Sequence, residues 1–230
     1  LPCGRSTKKS MNPKTLYVHF AQHPESSWIM VPENAVALYS FVKEHPIKRV
    51  LDLGTGIGCS AAFVALALKE KGVEYHIDSI EQYDKCIKIA TDLIPKDLQE
   101  HLTIHKGTTA VWHTEKMPYL NFQIFDNVPG WDYDLIINDG PGMFLLDGNL
   151  VELPDGTIHK ATSEDNIKPG TFVVYDGRVE SIRLLERFLG ENFYIVKQPA
   201  PGGDFRVLER KNTPLKIEDS RIATMEGAGY

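Results

Sequence analysis

The sequence predicts an α/β fold: a mostly parallel sheet with helices on both faces, which closes with an antiparallel hairpin. The first observation is that strand-like and helix-like segments alternate from Val50 to Leu189, as they do when crossover helices join parallel strands. The second is a pair of strand-like runs, Tyr194 to Lys197 and Phe205 to Glu209. The short segment between them has no room for a crossover helix, so these two strands must run antiparallel.

Each element follows from apolar spacing and from its end signals. Helices show apolar residues at a spacing of three or four; Pro32 lies in the first turn of one helix, and Pro95 and Gly190 end two others. Short runs rich in Val and Ile between turn residues indicate strands. We predict helices from Pro32 up to His45 and over 59–71, 84–94 and 181–189, and strands over 50–53, 75–80, 102–105, 133–138 and 171–175.

Three segments fall outside this alternation. Residues 1–31 mix aromatic and polar side chains, and we interpret them as an N-terminal arm that either packs on the core or covers a site. The domain itself is expected at 32–211, with an insertion at 142–168 in which Leu150 to Ile158 predicts a hairpin around a Pro-Asp-Gly turn. Residues 212–230 are expected to be a C-terminal tail.

Composition limits the partners of the chain. Its 230 residues, 42% of them hydrophobic, suffice for one domain, and the net charge of -6 argues against a nucleic-acid partner, which usually leaves a basic surface. Cys3, Cys59 and Cys86 form no CxxC pair and fit reduced thiols, so we expect a cytoplasmic location. The most apolar helical run, Cys59 to Leu68, has about half the length that spans a bilayer, so no membrane partner is expected. Two questions stay open: whether the chain forms a homodimer, and whether a chain that begins with Leu is full length.

The most informative segment is a glycine loop after the first strand of the alternation. The strand residues Val50 to Leu53 lead into Gly54-Thr55-Gly56-Ile57-Gly58, and the helix follows at once. Such a loop lets a small molecule approach the backbone closely. A dinucleotide-binding fingerprint would place Gly or Ala at position 59, where this chain has Cys59. Glu81 follows the next strand, where a carboxylate can accept hydrogen bonds from ribose hydroxyls.

These motifs together resemble class I S-adenosylmethionine-dependent methyltransferases. The resemblance is carried by Val50 to Gly58, Ile80-Glu81, Gly107-Thr108-Thr109 and Asp134 to Asp139, and it covers roughly residues 30 to 210. It implies a Rossmann-like, seven-stranded sheet whose last strand belongs to the antiparallel hairpin. By pattern the chain is most similar to small-molecule O-methyltransferases of the catechol type, which share Gly58-Cys59-Ser60 as Gly-x-Ser and the Ile-Glu pair.

The resemblance implies a role for each matching residue. Asp52, Gly54 and Gly56 would line the methionine part of S-adenosylmethionine, and Ser60 would bind its carboxylate. Glu81 would hold the ribose diol. The other implied positions are Thr108 and Thr109 beside the adenine, and Asp139 beside the sulfonium and the acceptor.

Methyl transfer from a sulfonium is an in-line displacement that needs alignment and removal of the acceptor's proton. Catechol-type relatives use a divalent cation such as Mg2+, held by an Asp at the fourth strand tip and an Asp-Asn pair at the fifth. Asp139 and Asp176 match two of these positions, and Gly177 replaces the Asn. Both are candidate metal ligands. The alternative for Asp176 is that it caps the helix near Ser181.

Without a metal, the base would be Asp139 itself, or His105 or His113. The remaining cations near these motifs, Lys106, Lys116 and Arg178, are scattered in the sequence, and we expect them on the solvated surface.

The sequence thus favours methyl transfer from S-adenosylmethionine to a small molecule, at a hydroxyl oxygen. One alternative is a protein or nucleic-acid acceptor on the same fold; however, Asn138-Asp139-Gly140-Pro141 lacks the Asn/Asp-Pro-Pro-aromatic motif of enzymes that methylate amino groups of nucleic acids. The other alternative is a nicotinamide-dependent dehydrogenase or a nucleotide-binding module without catalysis. Cys59 in place of the fingerprint glycine counts against the dehydrogenase.

Overall fold

A computed structural model describes residues 11–114, 117–141, 144–146, 149–151, 153–197 and 205–212. Its helices are α1 (Pro13–Ala21), α2 (Pro32–Glu44), α3 (Cys59–Lys71), α4 (Asp84–Leu93), α5 (Thr157–Ser163) and α6 (Val179–Leu189). Its strands are β1 (Arg49–Leu53), β2 (His76–Glu81), β3 (Leu102–Lys106), β4 (Thr109–Thr114), β5 (Met117–Phe125), β6 (Leu135–Asn138), β7 (Phe144–Leu146), β8 (Asn149–Val151), β9 (Phe172–Tyr175), β10 (Phe193–Lys197) and β11 (Arg206–Arg210). Short 3-10 helices lie at Ser26–Trp28, Lys96–Leu98 and Gly190–Asn192.

Seven of the strands form one sheet in the order β10-β11-β9-β6-β1-β2-β3. The five strands from β9 to β3 are parallel, and β11 pairs antiparallel with both β9 and β10. The predicted fold class and the closing hairpin are therefore confirmed. The register aligns Leu53 at the end of β1 with Ile80 on one side and Asn138 on the other, so the residues that follow these strands meet at one edge.

Both faces of the sheet are covered, and the strand residues alternate between two cores. Ile137 and Val174 pack in the core that contains α2 and α3, whereas Ile136 and Val173 pack in the core that contains α5 and α6. Long apolar runs in β1 and β6 are what such a doubly covered sheet requires.

Helix α3 begins and ends at the predicted residues, because a glycine in the left-handed region bounds it at each end. Gly58 (φ 94°) precedes the helix and Gly72 (φ 66°) follows it. All residues from Cys59 to Leu68 are buried, which explains why this helix is apolar all round.

The N-terminal arm packs on this core. Helix α1 begins with a capping box in which Asn12 and Thr15 satisfy each other's backbone N–H groups, and its Leu16 and Phe20 are fully buried. The expected domain boundaries at residues 31 and 211 stay predictions. The expected tail falls almost wholly outside the described residues.

The predicted hairpin at 150–158 is wrong. The antiparallel pair lies earlier, between β7 and β8, and helix α5 begins at Thr157. The reason is that the Asp155 carboxylate accepts the Thr157 backbone N–H at 2.8 Å, so the Pro-Asp-Gly segment starts a helix instead of closing a turn. Ile158 and Ala161 of this helix are buried under the sheet.

The hairpin formed by β4 and β5 was not predicted. It is a separate two-stranded sheet, in which Thr109 pairs with Phe125 and Trp112 with Phe122. Phe122, Ile124 and Phe125 are buried. Strand β5 therefore completes the second core, and Phe125 reaches the edge where β1, β2 and β6 end. Within the described residues, no helix has the length and apolarity needed to cross a membrane.

Candidate active site

A cavity of about 550 Å³ lies at the carboxyl ends of the central strands. The glycine loop, the residues after β2, the residues after β6 and β9, and part of the N-terminal arm contribute to it. Its lining residues are Glu25, Ser27, Ile29, Val31, Asn34, Gly54, Gly56, Glu81, Gln82, Tyr83, Lys85, Cys86, Phe125, Asp139, Asp176, Gly177 and Arg178. Ligands of open α/β sheets bind at this position relative to the strands.

The glycine loop is anchored to the neighbouring strand. The backbone N–H groups of Gly54 and Thr55 both donate to the Ile80 carbonyl oxygen, at 2.9 and 3.1 Å. Gly54 has a φ of 97°, and a Cβ there would lie 2.6 Å from the Asp139 carbonyl oxygen. A glycine is thus required at position 54, because Asp139 at the end of β6 approaches it closely. Gly54 itself lines the cavity.

Glu81 faces the cavity and fixes the shape of the loop. Its side chain is buried, and it accepts the backbone N–H groups of Gly56 and Tyr83, each at 2.8 Å. Burial raises the pKa of Glu81, and the backbone N–H groups of Tyr83, Gly56 and Gln82, together with the charge of Lys106, counteract part of that effect. Because an ionised carboxylate offers about four acceptor positions, the two oxygens retain capacity for a ligand's hydroxyl groups.

Asp52 and Ser60 lie beneath the loop and are not among the residues that line the cavity. Asp52 is fully buried and accepts hydrogen bonds from the hydroxyls of Ser60, at 3.0 and 3.1 Å, and Ser79, at 2.7 Å. Burial raises the pKa of Asp52 to about 7 despite these donors. The hydroxyl pair Thr55–Ser79, 2.6 Å apart, extends this network into the loop. The arrangement supports the loop from below, and direct contact of Asp52 or Ser60 with a ligand stays a prediction.

Thr108 and Thr109 are exposed and lie outside the cavity lining. Thr108 donates its backbone N–H to the Asn127 side chain at 2.8 Å and its hydroxyl to Asp126. The residue of this region that does line the cavity is Phe125. An adenine contact by the two threonines stays a prediction.

Asp139 lines the cavity next to Arg178. The Arg178 Nε lies 3.4 Å from Asp139 Oδ1, and the same guanidinium donates to the Asp139 carbonyl oxygen. The two side chains are 29% and 20% exposed, so this ion pair is shielded but accessible to a ligand. Burial raises the pKa of Asp139 well above its usual range, with Arg178 opposing the shift and Asp176 adding to it. A carboxylate of this kind is a stronger proton acceptor than an exposed one.

Asp176 is held by the first turn of α2. The Asn34 side-chain amide donates to Asp176 Oδ1 at 2.6 Å, and both residues line the cavity. The N-cap position of α6 is occupied by Arg178, whose side chain makes no capping hydrogen bond, and the alternative of Asp176 as a helix cap near Ser181 stays a prediction.

These residues do not fit a divalent cation well. Among the residues that the structure describes, no group of three or more His, Cys, Asp or Glu side chains is arranged to hold a metal ion. Asp139 already lies against a guanidinium. Asp139 and Asp176 as metal ligands remain an untested prediction.

The two candidate histidines lie away from this cavity. His105 contacts Asp78 Oδ1 at 2.6 Å, in a cluster with His76 and Tyr133. His113 is exposed on β4. Neither lines the cavity that contains Asp139.

Arg178 is the main residue that sequence reasoning misplaced. It was expected on the solvated surface, but it lines the cavity and pairs with Asp139. Its position directly after the strand-end pair Asp176-Gly177 was a usable signal, since residues after parallel strands converge at one edge. The contributions of Asn34 and of the N-terminal arm depend on packing between distant segments, which no local pattern reveals.

The charges of the lining suit a cationic ligand. Four acidic side chains (Glu25, Glu81, Asp139 and Asp176) and two basic ones (Lys85 and Arg178) line the cavity. A positive group bound near Asp139 would favour the ionised carboxylate and lower its raised pKa. The glycine backbone, the buried Glu81 and this charge balance together fit S-adenosylmethionine.

Solved structures share this fold over nearly the whole chain. PaMTH1 of Podospora anserina, solved with S-adenosylhomocysteine, has a TM-score of 0.61 at 12% identity, with 90% of this chain and 91% of that chain covered. The O-methyltransferase TomG of Streptomyces achromogenes, involved in tomaymycin synthesis and solved with S-adenosylmethionine, has a TM-score of 0.58 at 16% identity, with coverages of 89% and 92%. An O-methyltransferase from Bacillus cereus, solved with S-adenosylhomocysteine, has a TM-score of 0.56 at 14% identity, with coverages of 90% and 94%.

The fold and the family model identify an S-adenosylmethionine-dependent methyltransferase. The model of the protein-L-isoaspartate (D-aspartate) O-methyltransferase family matches residues 10–129, and the chain belongs to this family. No curated protein matches the chain. The resemblance to class I methyltransferases is confirmed, and the alternatives of a dehydrogenase and of a non-catalytic nucleotide-binding module are set aside. The family match ends before Asp139, so it leaves the acceptor end of the cavity undetermined.

Proposed function

We propose that this enzyme transfers the methyl group of S-adenosylmethionine to an oxygen of a small-molecule acceptor bound in the cavity beside Asp139. The observation that supports this most directly is that one cavity contains the glycine loop, the buried Glu81 and the partly buried Asp139. The first two suit the cofactor's polar groups. The third lies where the acceptor and the reactive sulfonium would meet.

In this proposal, Glu81 accepts the two ribose hydroxyls with the oxygen capacity that Gly56 and Tyr83 leave. Gly54 and Gly56 present backbone to the methionine part of the cofactor. Asp52 and Ser60 support the loop, and a contact of Ser60 with the cofactor carboxylate would require its hydroxyl to turn away from Asp52. The cofactor supplies an electrophilic methyl group, and the protein supplies alignment.

Asp139 is proposed as the residue that takes up the acceptor's proton. Its buried position raises its pKa, which brings its basicity closer to that of the hydroxyl group it must deprotonate. Arg178 limits that rise and fixes the carboxylate in place. Alignment of the acceptor oxygen, the methyl carbon and the sulfur would contribute a large part of the acceleration.

A second candidate acceptor is a carboxyl group of a protein. The family match favours it, because the name of the family specifies isoaspartate and D-aspartate residues of proteins. Whereas a hydroxyl acceptor needs a base, a carboxylate acceptor is already ionised and would need a cation such as Arg178 to hold it. The two candidates therefore differ in whether Asp139 must act as a base.

Binding and transfer experiments separate these outcomes. Isothermal titration calorimetry with S-adenosylhomocysteine is expected to show one site per chain, and its absence would contradict the function as a whole. Transfer of tritiated methyl groups is then compared for catechol and for an isoaspartyl peptide. We expect labelled catechol. Label in the peptide alone would establish the second candidate, and label in neither would contradict both acceptor assignments.

A cytoplasmic location and a homodimeric state remain proposals from the sequence. Cell fractionation and sedimentation of the purified chain test them.

A further inference from the structure

The cation that the cavity presents next to Asp139 belongs to the protein itself. Arg178 directly precedes α6, so its backbone is fixed by the junction between β9 and that helix. Its guanidinium contacts the Asp139 side chain, at 3.4 Å between Nε and Oδ1, and also the Asp139 backbone carbonyl. Two contacts to one residue hold the guanidinium against Asp139 more firmly than a single surface ion pair would.

The second carboxylate of the expected metal site is also engaged. Asn34 donates its amide to Asp176 Oδ1 at 2.6 Å, from the first turn of a different helix. The third position of the metal-binding pattern is Gly177, which has no side chain and a φ of 68°. A hard divalent cation prefers an octahedron of oxygen ligands, and this arrangement offers it two carboxylates that already have partners.

The charges that act on Asp139 lead to the same conclusion. Among the residues that line the cavity, Arg178 and Asp176 interact electrostatically with Asp139, and the cofactor's sulfonium would add a second positive charge there. A divalent cation would add two more positive charges next to the sulfonium and the guanidinium. Like charges at such short range in a shielded cavity are strongly unfavourable.

We propose that Arg178 occupies the place of the divalent cation, positions Asp139, and makes methyl transfer in this cavity independent of metal ions. This inference rests on the proposed function. The guanidinium has five N–H donors, so after its contacts with Asp139 it can still donate to an acceptor oxygen. Arg178 is therefore a positioning residue for the base and, through its remaining donors, for the acceptor.

The first test measures binding of Mn2+ alone, by electron paramagnetic resonance, to the complex with S-adenosylhomocysteine. Wild type is expected to bind none. Arg178→Ala is expected to bind Mn2+ in the millimolar range, because removal of the guanidinium leaves the carboxylates of Asp139 and Asp176 without a neighbouring positive charge. The double variant Arg178→Ala with Asp139→Asn is expected to lose that binding. Mn2+ binding by wild type that Asp139→Asn abolishes would overturn the inference. Absence of binding in both wild type and Arg178→Ala would overturn it as well, because the carboxylates would then not form the cation site that Arg178 is proposed to fill.

The second test uses the charge of the cofactor as a reporter. S-adenosylmethionine carries the sulfonium charge, and S-adenosylhomocysteine lacks it. Because like charges in one cavity repel each other, Arg178→Ala should favour S-adenosylmethionine over S-adenosylhomocysteine by about tenfold relative to wild type. Arg178→Lys keeps the charge and should keep the wild-type ratio. A merely structural role would weaken both ligands together, and an unchanged ratio in Arg178→Ala would contradict the inference.

Arg183→Ala is the matched control. Arg183 lies in α6, the helix that Arg178 precedes, is exposed, and pairs with Glu180 outside the cavity, so its loss should leave both Mn2+ binding and the ligand ratio unchanged. The outcomes also separate the two proposals. Failure of wild type to bind S-adenosylhomocysteine would refute the proposed function, whereas normal binding of it together with Mn2+ binding at Asp139 would refute the role of Arg178 alone.

Discussion

The most direct test of the cofactor site is replacement of Glu81 by alanine. In the structure Glu81 is 5% exposed, and its carboxylate accepts the Gly56 and Tyr83 backbone N–H groups, each at 2.8 Å. These donors offset part of the cost of burying the carboxylate before any ligand arrives. Its remaining acceptor capacity is available to the ribose diol.

The expected loss follows from these contacts. A hydrogen bond to a charged group contributes about 1.5–3 kcal/mol, so Glu81→Ala should weaken binding of the cofactor by that amount. This corresponds to a rise in Kd of roughly ten- to more than a hundredfold. Glu81→Ala also releases the backbone N–H groups of Gly56 in the loop and of Tyr83 after β2, whereas Glu81→Gln keeps one acceptor oxygen. The glutamine variant should accordingly bind more tightly than the alanine variant and less tightly than wild type.

The assay is isothermal titration calorimetry with S-adenosylhomocysteine at low and moderate salt. Asp84→Ala is a suitable control, because Asp84 follows the same strand but is 89% exposed and pairs with Lys106 outside the cavity. Its replacement should leave the Kd unchanged. Thermal unfolding of each variant shows whether the fold persists.

The reasoning would be refuted by a folded Glu81→Ala variant with the wild-type Kd. An equal loss in Asp84→Ala would also refute it, since general electrostatic attraction would then replace the ribose contact as the explanation.

Three further predictions concern the base, the buried acid and the loop. Asp139→Asn should lower turnover with tritiated S-adenosylmethionine far more than it weakens S-adenosylhomocysteine binding; equal losses would make Asp139 a scaffold residue. Because burial raises the pKa of Asp52 to about 7, folded Asp52 keeps a proton between its usual pKa and pH 7 that the unfolded chain loses, so the free energy of unfolding falls as pH rises through that window. Asp52→Asn should remove this contribution, which amounts to about 2.7 kcal/mol between pH 5 and pH 8, as measured by urea unfolding at those two pH values; an unchanged pH dependence would show that Asp52 does not titrate in this range. Gly54→Ala should destabilise the fold by about 3 kcal/mol or more, because a Cβ would lie 2.6 Å from the Asp139 carbonyl oxygen, whereas Gly72→Ala, which has open space and a φ of 66°, should cost about 1 kcal/mol. Similar losses in the two glycine variants would contradict the close approach.

Much of the fold could be predicted from local pattern. Helix α3 begins at Cys59 and ends at Lys71 as expected, because glycines in the left-handed region bound an uninterrupted apolar run. The closing hairpin was also predictable, since the chain between its strands is too short for a crossover. The ends of α3 and the direction of the closing hairpin depend on a few consecutive residues, so they can be predicted from the local sequence.

The errors arise where a tertiary contact decides between two local outcomes. The Pro-Asp-Gly segment at 154–156 is typical of a turn. Here, however, the Asp155 carboxylate accepts the Thr157 backbone N–H and the Asp155 backbone N–H donates to the Ser181 hydroxyl, so a helix starts instead. The hairpin of β4 and β5 is held by packing of Phe122 and Phe125 into the second core.

The candidate site divides in the same way. The sequence by itself determined the glycine loop, the acid that ends β2 and the acid after β6, because parallel strands bring their carboxyl ends to one edge wherever they occur in the chain. Only the tertiary structure decided that Arg178 lies on Asp139, that Asn34 holds Asp176, and that Thr108 and Thr109 lie outside the cavity. These depend on side-chain directions and on the docking of segments far apart in sequence, which residue types and spacing do not specify.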